Sequence, residues 1–377
     1  MYLKNLQLIQ FRNYKQEKLN FLPGLNVIYG QNACGKSNIL EAIYLLVQMR
    51  SMRTTNVREA IQWGHEGFLV QGTFCNVFGD KEISLKVIEG GKRSIKINGK
   101  ELHKHYELIG QVPVVLFVPD DLRIIKAEPE QRRKFLNSII VQIDSNYFNN
   151  LLNYNKVLAE RNEALRQFKA KQLGLDGITP WTEKLVTIGS EIIQTRNKYV
   201  QELNAILGEV DSLLGDAKMK LSILYKSFIN EWEDVNTLKS SFANLIHEKQ
   251  QLETVICQTL VGPHRDELEI FGNGKVLRAY GSQGQQRKAI LSLKIASVLL
   301  LKKHFSEWPI TLFDDVLSEL DECNQKALED ILIALSSKYP SPAMSNWQCF
   351  ITTADHLGRW DGKNINKVQI AQGNVCV

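Results

Sequence analysis

The sequence predicts an α/β protein, a head built from a mixed sheet and an antiparallel β region that carries a second lobe made of helices. Three observations predict it. Short alternating strands with one interrupting helix fill residues 1 to about 120, two long apolar stripes run between about 145 and 215, and strands return after about 258. At 377 residues the chain is too long for one ordinary core. The expected division is a discontinuous head, 1–140 with 255–377, and a helical lobe, 141–254.

The opening MYLKNLQLIQ alternates as a strand and lacks the basic region, apolar core and cleavage site of a signal peptide. Ile83, Leu85 and Val87 alternate, as do Ile95 and Ile97 before the turn Asn98-Gly99, so an antiparallel region is expected. Within it Ile39, Leu40, Ile43 and Leu46 recur on one helical face from about Lys36. Tyr147, Leu151, Tyr154, Leu158 and Leu165 form one near-heptad stripe, and Leu185, Ile188, Ile192, Tyr199, Leu203, Ile206 and Val210 form another. Glycines and a proline between Gly174 and Pro180 break the helix and suit the bend of a helical hairpin, although the same periodicity fits core helices of a packed bundle. A hairpin turn at Gly272-Asn273-Gly274, a helix from about Gly284, the apolar run Ile310 to Phe313 and a strand Cys349 to Thr352 complete the order. There is no internal repeat and no low-complexity segment.

Composition narrows the partners. Lys and Arg number 46 against 41 Asp and Glu, a net +5 that permits contact with a polyanion without establishing it. No apolar run is long enough to cross a bilayer, so no membrane partner and a cytoplasmic location are expected. Cys34, Cys75, Cys257, Cys323, Cys349 and Cys376 lie far apart, with no CxxC pair, and read as buried or inert thiols.

Chemistry enters with Gly30-Gln31-Asn32-Ala33-Cys34-Gly35-Lys36-Ser37, which fits GxxxxGK[ST], follows the strand Leu25 to Tyr29 and opens a helix. Its glycines let backbone N–H groups turn towards phosphate oxygens, and the helix N-terminus adds partial positive charge. ATP and Mg²⁺ are the expected cofactors: Lys36 reaching the β- and γ-phosphates, Ser37 ligating the metal. The run Pro309 to Asp315 is an apolar strand ending in two acids, of which Asp314 would hold Mg²⁺ and Asp315 would serve as the general base. Acids commonly end buried strands, and the upstream phosphate loop gives these two their weight.

Tyr280-Gly281-Ser282-Gln283-Gly284-Gln285-Gln286-Arg287 resembles the signature motif of ABC ATPases, and Ser318-Glu319-Leu320-Asp321 resembles their D-loop. The plain alternative for Ser282 is an ordinary helix cap. The resemblance implies an ATP-dependent homodimer, in which Ser282 and Gly284 of one copy meet the γ-phosphate held by the phosphate loop of the other. The gap from Lys36 to Ser282, 282 minus 36 or 246 residues, is too long for a transporter ATPase and too short for full coiled-coil arms.

Further segments resemble the RecF family: Phe11-Arg12-Asn13-Tyr14, Leu40-Glu41-Ala42-Ile43-Tyr44, Pro119-Asp120-Asp121-Leu122, Pro129 to Asn137, and Thr259-Leu260-Val261-Gly262-Pro263-His264-Arg265-Asp266. Ala127-Glu128 and Asn137 depart from the family pattern without touching the ATP motifs. That resemblance implies an ATP-dependent DNA-binding protein of recombinational gap repair and the SOS response. It further implies slow, DNA-dependent hydrolysis that releases single-stranded or gapped DNA, and RecR and RecO as partners. The competing class is an SMC-like structural ATPase that acts as a protein scaffold. Arg132 and Arg133 are candidate DNA contacts, with intramolecular salt bridges as the alternative. His356 reads as an ordinary loop residue, and no Q-loop glutamine follows Phe117.

Overall fold

A computed structural model describes residues 1–76, 79–102, 104–213, 219–229, 232–316, 325–326, 328, 347–354, 365–371 and 374–376. The chain forms two compact units, Met1–Asp121 with Leu293–Val377, and Leu122–Ser292. These borders differ from those at 140 and 255, which follow changes in periodicity.

The first unit holds two sheets. Strands β1 (Tyr2–Phe11), β2 (Tyr14–Asn20), β4 (Gly67–Asn76), β5 (Gly79–Ile88), β6 (Arg93–Ile97) and β7 (Lys100–Glu101) form an antiparallel sheet, while β3 (Gly24–Tyr29) lies elsewhere. Their order is β2-β1-β4-β5-β6-β7. The second sheet takes β3 together with β8 (Val114–Phe117), β12 (Ile310–Asp314), β13 (Gln348–Thr353), β14 (Asn366–Ala371) and β15 (Asn374–Cys376), in the order β15-β14-β3-β13-β12-β8. Its β14-β3-β13-β12-β8 portion is parallel, and β15 pairs antiparallel with β14. The uniform antiparallel region expected up to residue 120 is thus interrupted, because β3 and β8 join strands that lie in the last 70 residues of the chain. Asn26, Val27 and Ile28 are buried in succession, the pattern of a strand covered on both faces.

Helix α1 (Lys36–Gln48) packs against strands of both sheets. Its stripe Ile39, Leu40, Ile43 and Leu46 is fully buried, which at about 1.5–3 kcal/mol per side chain makes this helix a main contributor to the core.

The second unit contains the sheet β11-β10-β9, made of β9 (Leu221–Lys226), β10 (Glu267–Gly272) and β11 (Lys275–Val276). The turn Asn273-Gly274 joins β10 to β11, with Gly272 opposite Lys275. Helices α2 (Arg123–Lys126), α3 (Pro129–Ile143), α4 (Ser145–Lys169), α5 (Thr179–Leu213), α6 (Val235–Ile256) and α7 (Leu277–Tyr280) belong to this unit, and α8 (Gln283–Phe305) begins in it. α4 and α5 pack together, and α6 packs on both. The α4 stripe buries Tyr147, Tyr154, Val157 and Leu165 as apolar periodicity demands, but also Arg161, which is 1% exposed. Its guanidinium is matched by Glu253 Oε2 at 2.7 Å, Thr259 Oγ1 at 2.7 Å and Thr182 Oγ1 at 2.9 Å, so the buried charge is paired and hydrogen-bonded. Among the described residues no helix is long and apolar enough to cross a membrane.

Candidate nucleotide site

The phosphate loop connects the end of β3 to the start of α1. Gly35 has φ 116°, and a Cβ there would stand 2.6 Å from Asn13 Nδ2 and 2.8 Å from Tyr14 Oη, so glycine is required for both conformation and space. Those neighbours brace the loop: Asn13 Nδ2 donates to Cys34 O at 3.0 Å and Tyr14 Oη donates to Gly35 O at 3.0 Å. Arg12, one residue earlier, forks onto Glu41 of α1 at 2.9 and 2.6 Å. Asn38 Nδ2 donates to Asn13 Oδ1 at 2.7 Å, and Arg53 Nη1 donates to Asn38 Oδ1 at 2.7 Å. The sequence flags Phe11 to Tyr14 only as a family resemblance; the bracing is a contact over 21 residues that no local pattern encodes.

Gln31, Asn32 and Ala33 are exposed, Cys34, Gly35 and Lys36 are buried, and Ser37 is half-buried. Lys36 curls back so that Nζ donates to Gly30 O at 2.7 Å and Gln31 O at 2.8 Å.

The carboxylates arrive through the parallel sheet. β12 pairs with β13, and β13 pairs with β3, so a single strand separates Asp314 from the strand that feeds the phosphate loop, about 10 Å at ~4.8 Å per step. Parallel direction puts both at the carboxyl ends of their strands, where open α/β sheets bind ligands. Asp314 is 8% exposed, and its Oδ1 accepts from Thr352 Oγ1 at 2.9 Å. Asp315 N donates to the same Thr352 oxygen at 2.9 Å. Asp315 is exposed and adopts φ 50°, the left-handed conformation that turns the chain sharply off the strand. Thr352 holds the Asp314 carboxylate and the Asp315 backbone, and sequence reasoning misses it because its relevance comes from strand register. Asp314 and Ser37 supply hard oxygen donors, the type Mg²⁺ takes. Thr352 engages one Asp314 carboxylate oxygen, and Oδ2 remains for a cation.

In the second unit Ser282 immediately precedes α8. Ser282 N donates to Gln285 Oε1 at 2.9 Å, and Gln285 N donates to Ser282 Oγ at 3.3 Å, a reciprocal capping box. The plain cap is therefore present. Ser282, Gln283, Gly284 and Gln285 are all exposed, and a Cβ at Gly284 would meet nothing within 4 Å. The segment Ser318 to Asp321 and His356 lie outside the described residues.

Beside the phosphate loop opens a cavity of about 830 Å³, lined by Arg12, Asn13, Lys15, Asn38, Arg53 and Trp63 among others. Trp63 is 97% exposed, unusual for so large an apolar side chain. Arg132, a candidate DNA contact, is instead 4% exposed and forks onto Glu267 at 2.6 and 2.7 Å. Its remaining donors reach the carbonyls of Ile124, Ile125 and Ala127, so this arginine is spent inside the unit.

A phosphate loop on a parallel sheet, an antiparallel sheet across its helix and a helix-rich unit ahead of a signature segment define an ABC-type head of the SMC class. The family described as RecF/RecN/SMC N terminal domain matches residues 2–368. The DNA replication and repair protein RecF of Caldanaerobacter subterraneus subsp. tengcongensis is 37% identical over 353 residues, covering 93% of this chain and 94% of that protein. The RecF of Ruminiclostridium cellulolyticum is 36% identical over 380 residues, 100% of this chain and 99% of the relative. A solved structure described as the recombination mediator protein RecF-ATPrS in the RecFOR pathway superposes with TM-score 0.89 at 36% identity, covering 99% of this chain and 97% of that one. An Smc head bound to the C-winged helix domain of ScpA, at 19% identity and TM-score 0.58, shares the fold. The chain belongs to the RecF family, and membership implies ATPase activity.

Proposed function

We propose that this protein is an ATP-dependent DNA-binding switch of recombinational repair, whose ATP-bound form is a homodimer on DNA and whose slow hydrolysis releases it. The observation that carries this reading is the shared sheet edge: the loop after β3 and Asp314 at the end of β12 stand one strand apart at the carboxyl end of a parallel sheet.

Loop N–H groups and the α1 N-terminus receive the phosphates of ATP. Lys36 leaves the carbonyls of Gly30 and Gln31 for the β- and γ-phosphates. Ser37 and Asp314 would hold Mg²⁺, which would supply neutralisation of phosphate charge when bound. Asp315, steadied through its backbone by Thr352, orients and deprotonates the attacking water. An aspartate is shorter than glutamate, which suits slow turnover. Trp63 offers its face to the nucleoside end in the adjoining cavity. Ser282 and Gly284 of a second copy close over the γ-phosphate, the capping turn of α8 exchanging its internal hydrogen bonds for phosphate oxygens. Binding of single-stranded or gapped DNA, and partnership with RecR and RecO in gap repair and the SOS response, are further parts of this reading, supported by membership of the RecF family.

Molar mass by light scattering with and without Mg²⁺-ATP tests the switch. Wild type is expected to double in mass with ATP, while Lys36→Ala and Ser282→Arg stay monomeric. A wild type that binds ATP yet remains monomeric overturns the composite site. The SMC-like scaffold reading predicts hydrolysis indifferent to added DNA; the present reading predicts a change.

A further inference from the structure

The segment Gly262 to Asp266 has no part in the nucleotide site, yet the second unit spends much buried hardware on it. Arg265 N donates to Gly262 O at 2.8 Å, closing a turn with Pro263 at its first corner, where a preset φ is favoured. Gly262 adopts φ 141°, and a Cβ there would strike Tyr154 Oη, so the turn fits against α4 only with glycine. Pro263 O accepts from Arg196 Nη1 at 2.7 Å.

Both neighbours of Arg265 face inwards. His264 Nε2 meets Thr259 O, which can only accept, at 3.2 Å, so Nε2 carries the proton and Nδ1 accepts from Tyr154 Oη at 2.8 Å. Burial first, then the nearby Arg265, Arg133 and Arg196, push the His264 pKa down to about 4, against a raising contribution from the Thr259 bond. Asp266 is 2% exposed, bonded to Tyr225 Oη and 3.6 Å from Arg196. Arg196 is in turn held by Tyr147 Oη at 2.9 Å and Asn137 Oδ1 at 3.2 Å.

Arg265 is exposed between these two anchors. The carboxylates that would ordinarily neutralise it are committed elsewhere: Asp266 turns inwards, and Glu267 is forked by Arg132. Arg133, half-buried, donates to Asp266 O at 2.7 Å, placing a second guanidinium beside the same peptide. The backbone of Arg265 is fixed by a turn, a proline and two inward-facing neighbours, so the point from which the side chain springs is set. Its guanidinium can take a planar, two-pronged acceptor.

We propose that Arg265, with Arg133 beside it, clamps backbone phosphates of DNA on the second unit. This rests on the reading above that the protein binds DNA, and it names the surface. A phosphate contact of this kind positions without reading sequence, and its mark is salt dependence.

The test measures binding of a fluorescent gapped duplex by anisotropy, with Mg²⁺-ATP, from 50 to 200 mM salt. For Arg265→Ala the slope of log affinity against log salt is expected to fall by about 0.9 for each duplex phosphate that the side chain no longer neutralises, and by about 0.7 for each phosphate of a single strand. Arg265→Lys, which keeps the charge, should retain most of the slope, whereas a merely structural role would be restored by neither. ATP binding and helical content of Arg265→Ala should match wild type, because the side chain is exposed. A wild type that binds DNA with a slope unchanged in Arg265→Ala overturns the assignment and leaves the function standing. A wild type that does not bind DNA overturns both.

Discussion

His264 offers a quantitative handle on the turn that presents Arg265. Its folded pKa, down to about 4, lies below the ordinary value of about 6.5, so it contributes stability that is present above about pH 6.5 and is lost as pH falls towards 4. The linkage relation at ~1.4 kcal/mol per pK unit gives a loss of about 2 kcal/mol between pH 7.5 and pH 5, an upper figure because the ring is partly exposed. Asp266 works in the opposite direction: burial lifts it to about 6, Arg196 partly offsetting, so its contribution is present below about pH 4 and is lost as pH rises through 6. Comparing wild type with His264→Asn cancels the Asp266 part to first order. The variant keeps an acceptor for Tyr154, loses the bond to Thr259 and carries no titrating ring. It should be less stable than wild type by about 1 kcal/mol at pH 7.5, and the order should have reversed by pH 5. Urea denaturation followed by circular dichroism at a series of pH values reads this crossing. A gap that stays constant across the series, or a His264 pKa near 6.5 by NMR, refutes the tautomer and burial argument.

Two further outcomes concern the nucleotide site. Tyr14→Phe removes the hydroxyl that donates to Gly35 O, and by calorimetry ATP affinity should weaken by about fivefold, the worth of ~1 kcal/mol, with the fold intact; unchanged affinity would mean that the loop holds its shape without the brace. Trp63→Phe should abolish most of the tryptophan fluorescence change on ATP addition, and an undiminished change would place the nucleoside away from the cavity.

Legibility in the sequence tracks how local each feature is. The phosphate loop can be read because eight consecutive residues encode a strand, a turn and a helix start, and Ile39 to Leu46 announce the buried face of α1 by spacing alone. The pairing of β3 with β13, across more than 300 residues, is invisible there, and with it the role of Thr352. Arg161 and Arg196 escape notice because apolar periodicity treats a cation as a surface residue, yet each is buried with its counter-groups on distant segments. Arg132 shows the converse error: two adjacent arginines look like a basic surface, and only the tertiary position of Glu267 shows that one of them faces inwards. Ser282 satisfies its capping reading without excluding the other, since a capping turn and a phosphate cradle are built from the same N–H groups.

The Lys36 ammonium, folded onto the carbonyls of its own loop, acts as an internal rehearsal for the ligand. In taking up a triphosphate the ammonium exchanges two carbonyl partners for phosphate oxygens, bonds of the charge-assisted kind worth about 1.5–3 kcal/mol each. A lone inorganic phosphate brings few oxygens to that exchange, whereas a triphosphate brings a chain of them, so the exchange favours the long polyanion over the fragments left after its cleavage.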